Sequence, residues 1–203
     1  MLKKSKMILS VISAITLIAT VGVLSTAILN VPDADVVKTA SLESRPPSVE
    51  MGDYGQTINL DIAKGKAVFR VSTVKTGQFD SAPTIKSISD RDIFQIYSPN
   101  NKPVDDKTSL PELMANGGLV IWQEKLDDNV NVQNIINTYA QNKEAQIITV
   151  QGFPAIATQK QSENDIPTLL HVFRDDGVRV TLMSNLPVVE LVKIAENMDL
   201  SVQ

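Results

Sequence analysis

The chain has 203 residues, 43% hydrophobic and 21% charged, with a net charge of −4, which fits one globular domain with an appendage and excludes collagen-like, disordered and multi-domain organisation. No cysteine and a single histidine exclude disulfides, thiol catalysis, iron–sulfur clusters and thiolate or His-rich metal sites. Chemistry is left to carboxylates, hydroxyls, amines or surfaces.

The charge is uneven along the chain. Residues 1–6 form a basic stub carrying Lys3, Lys4 and Lys6, and the run Met7 to Leu29 has no charge. At ~1.5 Å per residue this run makes roughly 34 Å of helix, enough to cross a hydrocarbon core of about 30 Å. Its length favours a retained transmembrane signal-anchor over a cleaved signal peptide, whose apolar region is usually about 7–15 residues. Ser25-Thr26-Ala27 still places small residues correctly for cleavage near Ala27, so secretion remains open. Lysines before the run and none directly after it keep the stub cytoplasmic and place the C-terminal domain outside the cytoplasm. With no cysteine after the run, a lipid-modified cysteine is excluded. Setting the three lysines aside leaves 16 basic against 23 acidic residues, so the exported body carries about −7 and offers no basic cluster for nucleic acid.

Residues 30–54 read as a polar linker, in which Pro46-Pro47 disfavours helix. The folded domain is expected over residues 55–203, opening with a short helix at Thr57 to Ala63. Ala67 to Val71, Ile85 to Ser89 and Ile93 to Ser98 read as strands, and Pro99 to Asn116 as a long loop. Gly117-Gly118 leads into a strand at Leu119 to Gln123. Val132, Ile135, Ile136 and Tyr139 recur at helical spacing after the N-cap candidate Asn131, which predicts a helix to Asn142. Strands at Ile147 to Val150 and Ala155 to Thr158 flank a Gly152-Phe153-Pro154 turn. In the hairpin Leu169 to Ser184, a two-residue Asp176-Gly177 loop sets Phe173 opposite Val180, His171 opposite Leu182 and Arg174 opposite Arg179. A three-residue loop would pair Phe173 with Arg179, which is worse for burial. Pro187 to Leu200 predicts a helix with Val188, Leu191, Val192, Ala195 and Met198 on the core face, Ile194 at its margin, and Glu190 and Lys193 outside.

Signals for chemistry are thin. Asp105-Asp106, Asp127-Asp128 and Asp175-Asp176 fall in turn-like stretches where aspartate bonds backbone. Asp127, Asn129 and Asn131 begin like a calcium loop, but Val132 replaces the required Gly and Thr138 the bidentate Glu. Common hydrolase, zincin and nucleotide motifs and the N-x-[ST] sequon do not occur, so no catalytic, cofactor-binding or metal residue is assigned. His171 is expected to be structural among apolar strand neighbours. The nine aromatics are expected in the core, and core packing is the favoured reading for Trp122 too, with a sheet-rim position beside Gln123 and Glu124 where a ligand or partner could stack as its alternative.

The run Gly117-Gly118-Leu119-Val120-Ile121-Trp122-Gln123, then Val150-Gln151-Gly152-Phe153-Pro154-Ala155, the hairpin, and the ending Leu191-Val192-Lys193-Ile194-Ala195-Glu196-Asn197-Met198 resemble an uncharacterised domain family of membrane-anchored prokaryotic envelope proteins. Its members often sit C-terminally in anti-sigma-factor-like and lipoprotein-like chains. In that family a V-x-G-x-x-A strand pair precedes a hairpin and a helix of the form L-x-K-I-A-E-S; Asn197 here replaces the Ser. The resemblance spans Thr57 to Leu200 and extends distantly to the half-barrels of the periplasmic lipoprotein carrier and of the regulator that restrains an envelope-stress anti-sigma factor. It implies an α+β fold, a curved antiparallel sheet with helices on one side, and a binding habit; it supplies no catalytic residues. Three functional classes remain. They are a membrane-tethered extracytoplasmic binding or sensory module for an envelope protein, peptide or apolar ligand; a structural accessory of the cell envelope; and a carboxylate- or Ser/Lys-based hydrolase. Composition sets no oligomeric state.

Overall fold

A computed structural model describes residues 50–75, 79, 82–99, 104–159 and 167–201. The expected anchor at 7–29 and the tether up to residue 49 lie outside the described residues, among which no helix is long and apolar enough to cross a membrane. Eight strands, β1 (Gln56–Ile58), β2 (Thr84–Ser89), β3 (Asp92–Tyr97), β4 (Leu119–Lys125), β5 (Ala145–Val150), β6 (Phe153–Thr158), β7 (Thr168–Phe173) and β8 (Val178–Ser184), form one sheet in the order β1-β2-β3-β4-β8-β7-β6-β5. Each neighbouring pair is antiparallel. The sheet is two meanders joined through β4 and β8; between them the chain leaves the centre, forms a helix, and returns at the far edge as β5. Helices α1 (Leu60–Lys66), α2 (Leu110–Ala115), α3 (Val132–Ala140) and α4 (Val188–Glu196) complete an α+β fold.

The two faces have different cores. Ile93, Ile121, Val180, Leu182, Leu170, Val172, Ala155 and Ala157 point to one face, where they meet Ala63 of α1, Leu191 and Ala195 of α4, and Met198. The alternate residues Ile156 and Phe173 point to the other face and pack with Ile136 of α3. The one-sided arrangement of helices implied by the resemblance is therefore corrected, because α3 and α4 cover opposite faces. β7 shows the cause, since all six of its residues are buried.

Local chemistry explains the caps. Asn131 Oδ1 accepts the Asn134 N–H at 3.1 Å and starts α3 as expected. Asn59 Oδ1 does the same for Ile62, so the expected helix at 57–63 begins instead at Leu60, after β1. Within the expected loop 99–116, Ser109 caps α2 by accepting the Glu112 N–H, with Pro111 in the first turn. The linker expected to run to residue 54 is also corrected: a 3-10 turn at Met51–Tyr54 buries both end residues and bonds the 106–108 segment, so the fold is already under way at Glu50.

Three further expectations change. Ala67 to Val71 is not a strand; it crosses the core face with Phe69 and Val71 buried, and its backbone bonds are scattered, Ala67 N–H to Ala63 C=O, Val68 N–H to Asp90 C=O and Arg174 Nη1 to Arg70 C=O. The β5–β6 turn is the pair Gln151-Gly152, both at positive φ (50° and 86°) as a two-residue type I′ loop requires, with Pro154 inside β6. Pro154 lies outside the β6–β7 pairing, which begins at Ala155, so its missing N–H breaks no rung. The β7–β8 hairpin takes the three-residue loop Asp175-Asp176-Gly177, with Gly177 at φ 73° and Arg174 N–H bonding Val178 C=O at 2.9 Å. Phe173 thus pairs with Arg179 and His171 with Thr181, one residue off the expected register. Burial does not oppose this, because Arg179 has a buried carboxylate to meet.

Candidate functional site

The face that carries α3 holds the chain's concentrated polar chemistry. Register lines up Lys86, Phe94, Trp122, Thr181, His171 and Ile156 across six strands, and beside them Asp92, Glu124, Arg179 and Phe173. One end of this double row is covered by the 3-10 turn, whose Tyr54 ring meets Phe94 edge-on at 4.8 Å. The other end is covered by α3 through Ile156 and Phe173. Between these covers lie Trp122 and Met183, both only partly buried.

Trp122 is the centrepiece. Its ring stacks on Phe94 at 5.7 Å and 14°, the Arg179 guanidinium lies 5.2 Å from the ring centroid, and its indole N–H donates to Asp92 Oδ1 at 3.1 Å. Stacking and cation–π attraction together fix the ring. Arg179, 6% exposed, donates through Nη2 to Glu124 Oε2, itself 4% exposed. Burial raises the Glu124 carboxyl above the usual carboxylate range, and the Arg179 charge opposes that shift. Arg179 Nε is buried without a hydrogen-bond partner among the described residues.

His171 shares a 2.9 Å hydrogen bond with Thr181 Oγ1 through Nδ1, and the Tyr139 ring of α3 lies 6.4 Å away. Burial first, and the Arg179 charge second, push its pKa down to about 3, so the imidazole is neutral at physiological pH. Burial likewise raises the Tyr139 phenol. The cross-strand neighbour of His171 is Thr181 and not the expected Leu182.

The aspartate pairs are not brought together. Asp105 Oδ1 accepts the Lys107 and Thr108 N–H groups, each at 2.8 Å, and those bonds hold its carboxyl below the usual range. Its neighbour Asp106 pairs at 2.6 Å with Lys86, whose side chain is 1% exposed and also donates to Gly55 C=O. Asp127 meets Arg91 at 2.8 Å, and Asn131 caps α3. Asp176 meets Arg174 at 2.5 Å. Among the described residues no three His, Asp or Glu side chains converge as a metal site.

Lys86, Glu124 and Arg179 carry no motif. The available signal was positional: each is a charged residue within a strand, and the β4–β8 register sets Arg179 directly opposite Glu124. No curated protein and no solved structure matches the chain. Residues 106–198, from the aspartate that pairs with Lys86 to the methionine that closes the core, match the domain of unknown function DUF4367, in agreement with the expected resemblance to an uncharacterised domain family.

Proposed function

We propose that this protein is a membrane-tethered extracytoplasmic binding or sensory module of the cell envelope, held by the apolar run Met7 to Leu29 and recognising an envelope protein, peptide or apolar ligand at the Trp122 face. The observation that carries the reading is how the buried ionisable groups there are used. Arg179 is paired with Glu124 and Lys86 with Asp106, and His171 is kept neutral beside Thr181. Catalysis by proton transfer needs a group that titrates near the working pH. Groups locked in pairs instead make a preorganised face, and just beneath it the buried Arg179 Nε is a donor with no partner among the described residues, next to a partly exposed indole. An acceptor on an otherwise apolar ligand complements that combination.

The test uses the full-length chain in membranes. Lys143→Cys supplies a lone thiol at an exposed position, and a membrane-impermeant maleimide is expected to label it in intact cells; labelling only after lysis overturns the location. Trp122 is the chain's sole tryptophan, so its emission reports occupancy of the face directly. A ligand copurified from detergent-solubilised envelopes is expected to shift that emission and to lose affinity in Arg179→Lys. Binding that leaves Trp122 unchanged overturns the assigned face, and substrate turnover abolished by Glu124→Gln overturns the binding reading.

A further inference from the structure

The sheet ends on one side in β5, and among the described residues no strand lies beyond it. The β5–β6 hairpin closes at Val150 opposite Phe153, and hydrogen-bonded rungs alternate from there, so Ala145, Ile147 and Thr149 turn their backbone N–H and C=O away from β6. Asn142 C=O takes the Ala145 N–H at 3.2 Å. Among the described residues nothing meets the outward groups of Ile147 and Thr149, and both residues are exposed, Ile147 by 42%. Sheet edges are normally blunted by lysine, proline, a bulge or shortness. β1, at the opposite edge, is three residues long. β5 has six residues, none of them charged, Gly or Pro, and its register with β6 is unbroken.

The surrounding charge indicates what the edge accepts. In a chain that is 21% charged and net acidic, Lys143 and Glu144 are the only charged residues from Asn129 to Gln159, and they cancel. This stretch comprises α3, β5 and β6. Two acidic copies repel wherever like charges meet, and this is a surface where they can approach without doing so.

We propose that β5 pairs antiparallel with β5 of a second copy of this chain, about a two-fold axis at Ile147, to give a continuous sheet across a homodimer. In this register Ile147 meets its own symmetry mate, Ala145 meets the second copy's Thr149, and Gln146 meets the second copy's Ile148. The Ile147 N–H and C=O bond their mates, Thr149 N–H reaches the second copy's Ala145 C=O, and the exposed Ile147 side chains cover one another. The interface is isologous, as a closed dimer requires. It is separate from the Trp122 face, so it does not depend on the binding reading.

The absence of native cysteine makes the test direct. Paired Cα atoms at a hydrogen-bonded antiparallel rung lie about 5.5 Å apart, within disulfide range. Full-length Ile147→Cys in detergent is expected to oxidise to a covalent dimer, and Gln56→Cys on the β1 edge is not. In sedimentation, Ile147→Lys sets like charges opposite each other and is expected to weaken dimerisation by about tenfold or more. Thr149→Pro removes an outward N–H that β6 does not use, and is expected to do the same with an unchanged unfolding midpoint. A monomeric Ile147→Cys chain, equal cross-linking through Gln56→Cys, cross-linking to a different protein, or a dimer untouched by both Ile147→Lys and Thr149→Pro overturns the proposal.

Discussion

Replacing Arg179 by Met tests the buried pair at the centre of the α3 face. Met preserves much of the side-chain volume, so the principal loss is the counterion of Glu124, a carboxylate 4% exposed beneath the sheet's neighbours. Removing one partner of a buried pair costs about 3–5 kcal/mol. For a domain of this size that corresponds to a fall of roughly 6–20 °C in melting temperature. The loss has a distinctive pH dependence. Burial already raises the Glu124 pKa in the folded state, and losing the attractive Arg179 charge raises it further. A folded-state pKa above the unfolded value gives stability that is present below the unfolded pKa and lost as pH rises through the folded one. Arg179→Met is therefore expected to recover toward wild type as pH falls from 8 to 5, by at most about 1.4 kcal/mol per unit. Arg179→Met with Glu124→Leu is expected to lie within about 1 kcal/mol of wild type, because no uncompensated charge remains. Urea denaturation of the full-length chain, followed by far-UV circular dichroism and by Trp122 emission, measures all three proteins. A single-variant loss below about 1 kcal/mol, or one independent of pH, refutes the claim that a buried charge is being held by its partner.

His171 gives the opposite slope. Its folded pKa of about 3 lies below the ordinary value of 6.5, so its stabilising contribution is present above that value and is lost as pH falls through the window between them; His171→Gln is expected to flatten the loss, by up to about 1.4 kcal/mol per unit, in acid-denaturation profiles. Gly55 sits at φ 89°, and a Cβ there would approach Ser87 O to 2.3 Å. Gly55→Ala is accordingly expected to cost at least about 2 kcal/mol and to expose the 50–58 segment to limited proteolysis. Gln123→Leu is expected to cost about 1–3 kcal/mol by orphaning the Ser72 N–H, and Gln95→Leu less, since Gln123 still serves the Ser72 carbonyl. Equal losses in urea midpoints for the two glutamine variants would contradict that assignment.

Elements were legible in the sequence where periodicity and capping agreed. Val132, Ile135, Ile136 and Tyr139 with Asn131 pointed to α3, and Leu191 and Ala195 to the buried stripe of α4, which also takes in Ile194 from the expected margin, with Met198 buried just beyond the helix and the Glu190–Lys193 pair at 2.8 Å on its outer side. Strands β2 to β4 were recognisable from their β-branched and aromatic runs. The α2 helix was missed although Ser109 and Glu112 form a cap signature, because flanking Pro, Asn and Asp residues read as loop. The hairpin register failed for a different reason. Pairing Phe173 with Val180 gives the better apolar match, but the preference for it assumed that an arginine has nothing to meet inside a sheet. Glu124 lies 55 residues earlier in the chain, and no local window contains both partners.

The segment 67–75 shows the same dependence on distant partners in neutral form. Its apolar alternation reads as a strand, yet the segment takes no place in the sheet order and so has no ladder. Lying across the core face, it must find a partner for each buried backbone group by other means. Gln123 supplies both an acceptor for Ser72 N–H at 2.7 Å and a donor for Ser72 C=O at 2.8 Å, and Gln95 adds a second donor at 2.6 Å. Arg174 serves Arg70 C=O and Ser72 Oγ, while the chain near Asp199 takes Thr73 C=O and Lys75 N–H. Glutamine suits this task because one amide donates and accepts together. The glutamines of β3 and β4 and the ion pair of β4 and β8 thus solve one problem on opposite faces. A strand buried on both sides can carry polar side chains only where each finds a fixed partner.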